Sequence, residues 1–405
     1  MQLKVSFRNV FRNKRRTALS IGMIAGGFSA MILFYGFVNR MMNELQWVAI
    51  NSQYGHLQIA SEKYWERSGE VPRDSLVKKG DAVMKLLRGH PEVTNVAGRI
   101  SFPALISSGE YSTTAMGLSF DIEAEPKRAQ GFQIISGSSL SPDRPFQIMV
   151  GHLLAKRLRV KPGDTINILG YTYDNVINAL ELEISGLFAT GVNEVDDTSF
   201  AVPLSTAQKL LDTDQVEIIV VGLKADDLVD STRESLRREL TALDPELKIQ
   251  RWLDLAKLYR EVLDYYKVQN RFVELIITSL VLLGILNVIG MAIYERTGEI
   301  GTIRALGFTR AQVMGQFLLE GIILGVFGVI AGIALSFLLT WIVNWLKIPL
   351  TVPGASTVLL IRVDLSFKAY QMASALILVT SIIAAAIPSF RASKIPIVDA
   401  LKHNI

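Results

Sequence analysis

Reaction chemistry needs nucleophiles, bases or metal ligands at spacings that bring them together, and this chain offers few. No G-x-x-x-x-G-K-[ST] segment occurs, so the backbone cradle for nucleotide phosphates is missing. The four histidines, His56, His90, His152 and His403, are scattered, with no H-E-x-x-H pair and no cysteine to complete a zinc set. Serines are numerous, yet no G-x-S-x-G elbow presents one as a nucleophile. Glu194, Asp196 and Asp197 read as a solvated acidic turn, with a cation site or partner patch as the alternative. The informative charges lie elsewhere: Glu295, Arg296, Glu299 and Arg304 alternate with Ile300, Ile303 and Leu306. A short helix there would carry a mixed charged and apolar face, suited to a groove on another protein.

The elements that position this segment are apolar. Half of the 405 residues are hydrophobic, and uncharged runs fall at 18–38, 275–294, 321–346 and 369–390. Each is long enough to cross a hydrocarbon core of about 30 Å. Ahead of the second run, Trp252, Leu255, Leu258, Tyr259, Val262, Leu263 and Tyr266 recur at helical spacing, with Lys257, Arg260, Glu261, Asp264 and Lys267 on the other face. No proline or glycine separates this pattern from the second run, so one helix of about 60 Å is expected through 294. Lys4, Arg8, Arg12, Lys14, Arg15 and Arg16 precede the first run; Arg391, Lys394 and Lys402 follow the last, against Asp399 alone. This bias puts both ends in the cytoplasm, the 295–311 segment with them, and the long stretch after the first run outside. The first run is too long for a signal peptide, and no A-x-A-like site follows it, so it is expected to stay as an anchor. The net charge of +4 is accounted for by the membrane-flanking clusters, which argues against nucleic acid as a partner. Without cysteine the chain cannot itself be a lipid-modified lipoprotein, and its outer domain must hold together by packing alone.

The outer insert opens with strand-like alternation at 54–60, an amphipathic helix near 81–88 and strands near 93–100 and 112–117. A similar unit returns late, with a strand at 216–223, a helix over 226–243 turning Leu228, Leu236, Leu240 and Leu243 inward, and a strand at 247–252. The middle reads as mostly β, at 147–150, 165–169, 182–188 and 200–202, with a helix at 153–158. Pairing the outer units would give one α+β body with the middle as a β-rich lobe. Small residues recur in the spans, as Gly22 and Gly26, Ala25 and Ser29, Gly321 and Gly325, and Gly328 and Gly332. They allow close helix approach, either in a dimer or within one subunit. Glu274 and Asn287 are polar groups at or in lipid depth, and Asn287 reads as a helix-to-helix hydrogen bond or a substrate contact. Arg8, Asn9 and Arg12 share an amphipathic stretch with Val5, Phe7, Val10 and Phe11 that could lie on the inner membrane surface.

The segment "ERTGEIGTIRALGFTRAQVMGQFLLEGIILGVFGVIAG", with "FRNVFRNKRRTALSIG" before it and "PSFRASKIPIVDALK" after it, resembles the FtsX-like permeases, the membrane subunits of MacB-type and lipoprotein-release ABC transporters. "MVGHLLAKRLRVKPGDTINI" and "ISGLFATGVNEVDDTSFAVPLSTAQKLL" resemble periplasmic segments of the lipoprotein-release branch. The resemblance implies an α-helical membrane protein with four transmembrane helices and a large α+β periplasmic domain inserted between the first and second. Its parts would be a cytoplasmic segment at 1–17, spans at 18–44, 252–294 (with a stalk), 315–346 and 369–390, a periplasmic domain at 45–251, a coupling segment at 295–314, an external loop at 347–368 and a tail at 391–405. It implies that Glu295, Arg296, Glu299, Ile300, Arg304, Ala305 and Gly307 couple to a cytoplasmic ATPase present in two copies. Arg8, Asn9 and Arg12 would touch that ATPase or membrane lipid. Other implied partners are a second permease copy or paralogue, and a lipoprotein substrate or a periplasmic carrier or adaptor. ATP and magnesium would sit on the ATPase, in a bacterial inner membrane, with no cofactor and no catalysis on this chain. The hairpin that hooks the carrier in that branch has only 170–179 as its counterpart, without proline. The implied activity is lipoprotein extraction; MacB-like export with an adaptor, or FtsX-like control of a cell-wall hydrolase, is the alternative.

Overall fold

The computed structural model describes residues 2–66, 73–121, 123–125, 132–350, 359–397 and 400; Asp399, Lys402, His403 and much of the 347–368 loop lie outside these. The chain opens with α1 (Gln2–Arg12), breaks at Asn13 and continues as α2 (Lys14–Val48). Asn13 Oδ1 accepts the Arg16 N–H at 3.4 Å, and the Thr17 hydroxyl donates to the Val10 carbonyl, which fixes the elbow. A π-helical turn, Ala49–Tyr54, follows and stops at Gly55. Gly55 has φ +67, and a Cβ there would meet the Val220 side chain at 2.3 Å, so both conformation and space demand glycine.

Residues 43–261 form a unit with two sheets. The first is four-stranded and antiparallel, in the order Leu247–Arg251, Leu57–Ser61, Ile218–Leu223, Val93–Arg99. We number strands along the chain, so these are β11, β1, β10 and β2. Helices α3 (Gly80–Arg88) and α7 (Val229–Leu243) contribute Val83, Leu87, Leu236 and Leu240 to a core with Leu57, Ile59, Val96, Ile219 and Val221. The early and late strand-helix-strand units therefore build one sheet, and Leu228 and Leu243 stay outside its buried set.

The residues between them make the second sheet, from β3 (Ser101–Ser107), β4 (Ser112–Phe120), β5 (Gln133–Gly137), β6 (Gln147–Gly151), β7 (Thr165–Tyr171), β8 (Ile177–Ala189) and β9 (Ser199–Pro203). Strand β8 has 13 residues; its first half pairs with β7 and its second with β6, so the order β8-β6-β9-β4-β3-β7 closes on itself and β5 adds beside the end of β8. Phe102, Ile106, Ile148, Ile166, Ile184 and Phe200 fill the interior, and α4 (His152–Leu158) and α6 (Leu204–Leu211) add Leu154, Leu158 and Leu210. The acidic cluster is not a solvated turn. It forms a short helix, α5 (Asn193–Thr198), in which Asp196 is fully buried and accepts from the Thr190 N–H at 2.8 Å and the Thr190 hydroxyl at 2.7 Å. Asp197 pairs with Arg157 at 2.7 Å. Both hydrogen bonds go to Oδ1, and Oδ2 lies 3.7 Å from His152 Nδ1, an arrangement charge pattern alone cannot reveal.

The remaining helices are α8 (Lys257–Glu295), α9 (Thr297–Ala305), α10 (Arg310–Leu346) and α11 (Phe367–Ser393). With α2, the helices α8, α10 and α11 are long and apolar enough to cross a membrane. Glycine sets their spacing. A Cβ on Gly321 would meet Ala385 at 2.3 Å and one on Gly325 would meet Ser381 at 2.7 Å, which locks α10 to α11. Gly328 and Gly332 face Ile24 and Phe28 at 2.4 and 2.8 Å, and the Ser29 hydroxyl donates to the Gly332 carbonyl at 3.1 Å, so the same helix grips α2. Gly22 and Gly26 differ, for nothing lies within 4 Å of a Cβ built on either. Asn287 also points outward, without a hydrogen-bond partner among the described residues, so it makes no helix-to-helix bond within the chain.

Candidate functional site

The site is the connection from α8 to α10. The Thr297 hydroxyl donates to the Ile293 carbonyl at 3.0 Å where α8 ends, and α9 then runs for nine residues. Gly307 has φ +101, which lets the chain reverse, and Thr309 and Gln312 form a capping box that starts α10.

Helix α9 has two unlike faces. Arg296, Gly298, Ile300 and Gly301 are turned inward. Arg296 Nη1 donates to Glu320 Oε1 at 3.0 Å and its Nε to Glu299 Oε2 at 2.8 Å, while its guanidinium lies 5.6 Å from the Phe317 ring centre. Asn9 Nδ2 reaches the same Glu320 oxygen at 3.0 Å, Arg12 reaches Glu299 at 3.0 Å, and Arg16 reaches Glu295 at 2.9 Å. The Ser6 hydroxyl donates to the Gln316 carbonyl at 3.1 Å, and Phe11 meets Phe327 edge-on at 5.4 Å. Helix α1 is thus packed on α10, with Val5 and Arg8 exposed and the ring centre of the exposed Phe7 still 6.0 Å from that of Phe327. Glu299 is held below the ordinary carboxylate range by the hydrogen bond from Arg296, assisted by Arg12.

The outward face carries Glu299, Thr302, Ala305, Leu306, Gly307 and Phe308. Leu306 is 79% exposed and Phe308 46%, an unusual display for large apolar side chains beside charge. Of the residues that pattern and resemblance pick out, Glu295, Glu299, Ala305 and Gly307 lie open. Arg296 and Ile300 do not; they are buried and cannot meet a partner directly. Arg304 is half-buried and donates to the Ile395 carbonyl, tying α9 to the end of α11. Leu306 belongs to the apolar face read from the sequence and is open here, whereas Phe308 stands out only once the turn at Gly307 is known. Elsewhere, His56 is structural: its Nδ1 accepts the Leu223 N–H at 3.0 Å and its Nε2 lies 3.0 Å from Asp226. Among the described residues no group of three or more His, Asp and Glu side chains could hold a metal ion.

Four membrane-length helices, a large α/β insert in the sequence between the first two, and a pinned charged helix between the second and third are the build of a multi-span membrane protein. Residues 17–239 match the MacB-like periplasmic core domain, and residues 271–397 the FtsX-like permease C-terminal domain. The chain belongs to the FtsX-like, MacB-type family of ABC transporter permeases, which implies an ATPase partner. It is 26% identical over 334 residues to the lipoprotein-releasing system transmembrane protein LolC of Xylella fastidiosa, covering 78% of this chain and 79% of that one. An uncharacterised ABC transporter permease of Methanocaldococcus jannaschii is 24% identical, covering 82% and 81%. The macrolide export ATP-binding/permease protein MacB of Nitrobacter winogradskyi is 23% identical, covering 97% of this chain and 58% of that one.

Proposed function

We propose that this chain is the membrane subunit of an ATP-driven machine that extracts lipoproteins from the inner membrane for transfer toward the outer membrane. The observation that carries the coupling is the two-sided build of α9, whose inward face is bolted to α1 and α10 while Leu306 and Phe308 stay open. A push on the open face would move the bolted helices together rather than bend a loop. Two copies of a cytoplasmic ATPase, each binding ATP and magnesium, close and draw the α9 helices of two permeases toward each other. Helix α8 is continuous over 39 residues, about 58 Å at 1.5 Å per residue, and carries the movement outward. Both termini lie in the cytoplasm in this reading, which the basic residues at the two ends support.

The dimer is formed with a second copy or a paralogue. Gly22 and Gly26, unused within the chain, and the unpartnered Asn287 support contact with another helix, since an open amide in hydrocarbon is costly. Lipoprotein as cargo is supported by the LolC relatives, which match over most of both chains. Export of periplasmic peptides or drugs with an adaptor is the second reading, supported by the MacB match over 97% of this chain. Depletion followed by quantitative proteomics of separated inner and outer membranes tests the choice. Lipoproteins accumulating in the inner membrane support release, and an unchanged distribution refutes it.

A further inference from the structure

Where α1 turns into α2, a cavity of about 420 Å³ opens toward α8 and α10. Its lining is divided by chemistry. Five cations, Arg12, Lys14, Arg15, Arg16 and Arg296, face two carboxylates, Glu295 and Glu320. Three of the cations are engaged, Arg12 by Glu299, Arg16 by Glu295 and Arg296 by Glu320 and Glu299. Lys14 and Arg15 are exposed and make no ion pair among the described residues. The opposite wall is apolar, lined by the half-buried Val288 and by the edges of Ile289 and Leu324, which are otherwise covered, and these lie inside the long uncharged runs. Leu19, one turn beyond Arg15, is 76% exposed.

A soluble anion would satisfy the two cations and gain nothing from this wall. An acidic protein surface could approach the cations, but the wall belongs to membrane-depth helix segments that such a surface does not enter. An amphiphile with an anionic head and an acyl chain matches both halves. We infer that the cavity is a binding site for one anionic phospholipid, its phosphate held by Lys14 and Arg15 and the first methylenes of a chain laid on Val288, Ile289 and Leu324. The site rests on the membrane placement of these helices and not on which cargo is moved. Occupied, it would wedge lipid against the elbow that carries Asn9 and Arg12, and so tie the inner leaflet to the α9 anchor.

The test is native mass spectrometry of the full-length protein in detergent, titrated with phosphatidylglycerol or phosphatidylcholine. At about 1 kcal/mol for each basic residue near an anionic surface, neutralising both cations in the K14Q/R15Q double variant should weaken phosphatidylglycerol roughly 30-fold. The charge-conserving pair K14R/R15K should keep it, and phosphatidylcholine should bind weakly to all three proteins. Equal binding of the two lipids by the unmodified protein, or an unaltered phosphatidylglycerol affinity in the neutralised variant, would overturn the site. Inorganic phosphate displacing the lipid at low millimolar concentration would instead make it a free-phosphate site. Neutralisation that abolishes ATPase association in lipid-free detergent but spares phosphatidylglycerol would assign the cations to the protein partner.

Discussion

Replacing Glu320 with alanine should unbolt the coupling helix. The carboxylate is 3% exposed, takes hydrogen bonds from Arg296 and Asn9, and faces a guanidinium that is itself 8% exposed. Removing one partner of a buried pair leaves the other charged and desolvated, a loss of roughly 3–5 kcal/mol. Arg296 keeps Glu299 at 2.8 Å, a half-exposed partner that offsets part of the loss, so the lower end of the range applies. At roughly 2–4 °C per kcal/mol for a unit of this size, E320A should lower Tm by about 6–12 °C. A double replacement, R296M/E320L, removes both charges together and should recover most of that loss, because apolar substitutes for a buried pair are often neutral or better. Thermal unfolding of the purified protein in detergent, followed by a fluorescence reporter, reads both. If E320A melts within about 2 °C of the unmodified protein, or the double replacement is no better than the single, the pair does not bolt α9 and the reasoning fails.

Other outcomes follow from the same geometry. G328L and G332L should each destabilise the helix bundle by about 1–3 kcal/mol by overpacking Ile24 and Phe28, read as lower Tm. G22L and G26L meet open space, so they should leave Tm unchanged while reducing permease association measured by cross-linking or native mass spectrometry. In the insert domain, Asp254 is held below the ordinary carboxylate range by the hydrogen bonds from Arg251. A lowered folded value means its stabilisation is full above the unfolded value and is lost as pH falls through the folded one. D254N should therefore melt earlier than the unmodified protein at pH 7, and the gap should narrow as the pH is taken below about 4.

The sequence carries its membrane architecture openly, because long uncharged runs have one physical solution, and the repeated strand-helix-strand pattern flags the elements that share the four-stranded sheet. Other features depend on distant partners. Strand β3 contains Pro103, which argues against a strand; it is tolerated because β3 pairs with β7 only at 105–107, leaving no neighbour that needs the missing N–H. Closure of the second sheet rests on β8 serving two neighbours, a long-range fact invisible in periodicity. At the site, charge pattern offers Arg296 as a partner-facing group, and the structure buries it. Charged residues are read as exposed, and the burial of Arg296 depends on Glu320, 24 positions away and itself bonded by Asn9, together with the nearby Glu299. The glycine pairs look alike in sequence, and the structure separates those filled by Ile24, Phe28, Ser381 and Ala385 from the open pair in α2.

The central claim is that the ATPase meets the open face of α9 and not its buried one. A photoreactive amino acid placed at Leu306, or in parallel at Ile300, in cells expressing the complete complex tests it directly. The account predicts a cross-link to the ATPase from position 306 and none from position 300. Cross-linking from 300, or none from 306 in a protein that still assembles and turns over ATP, would contradict it.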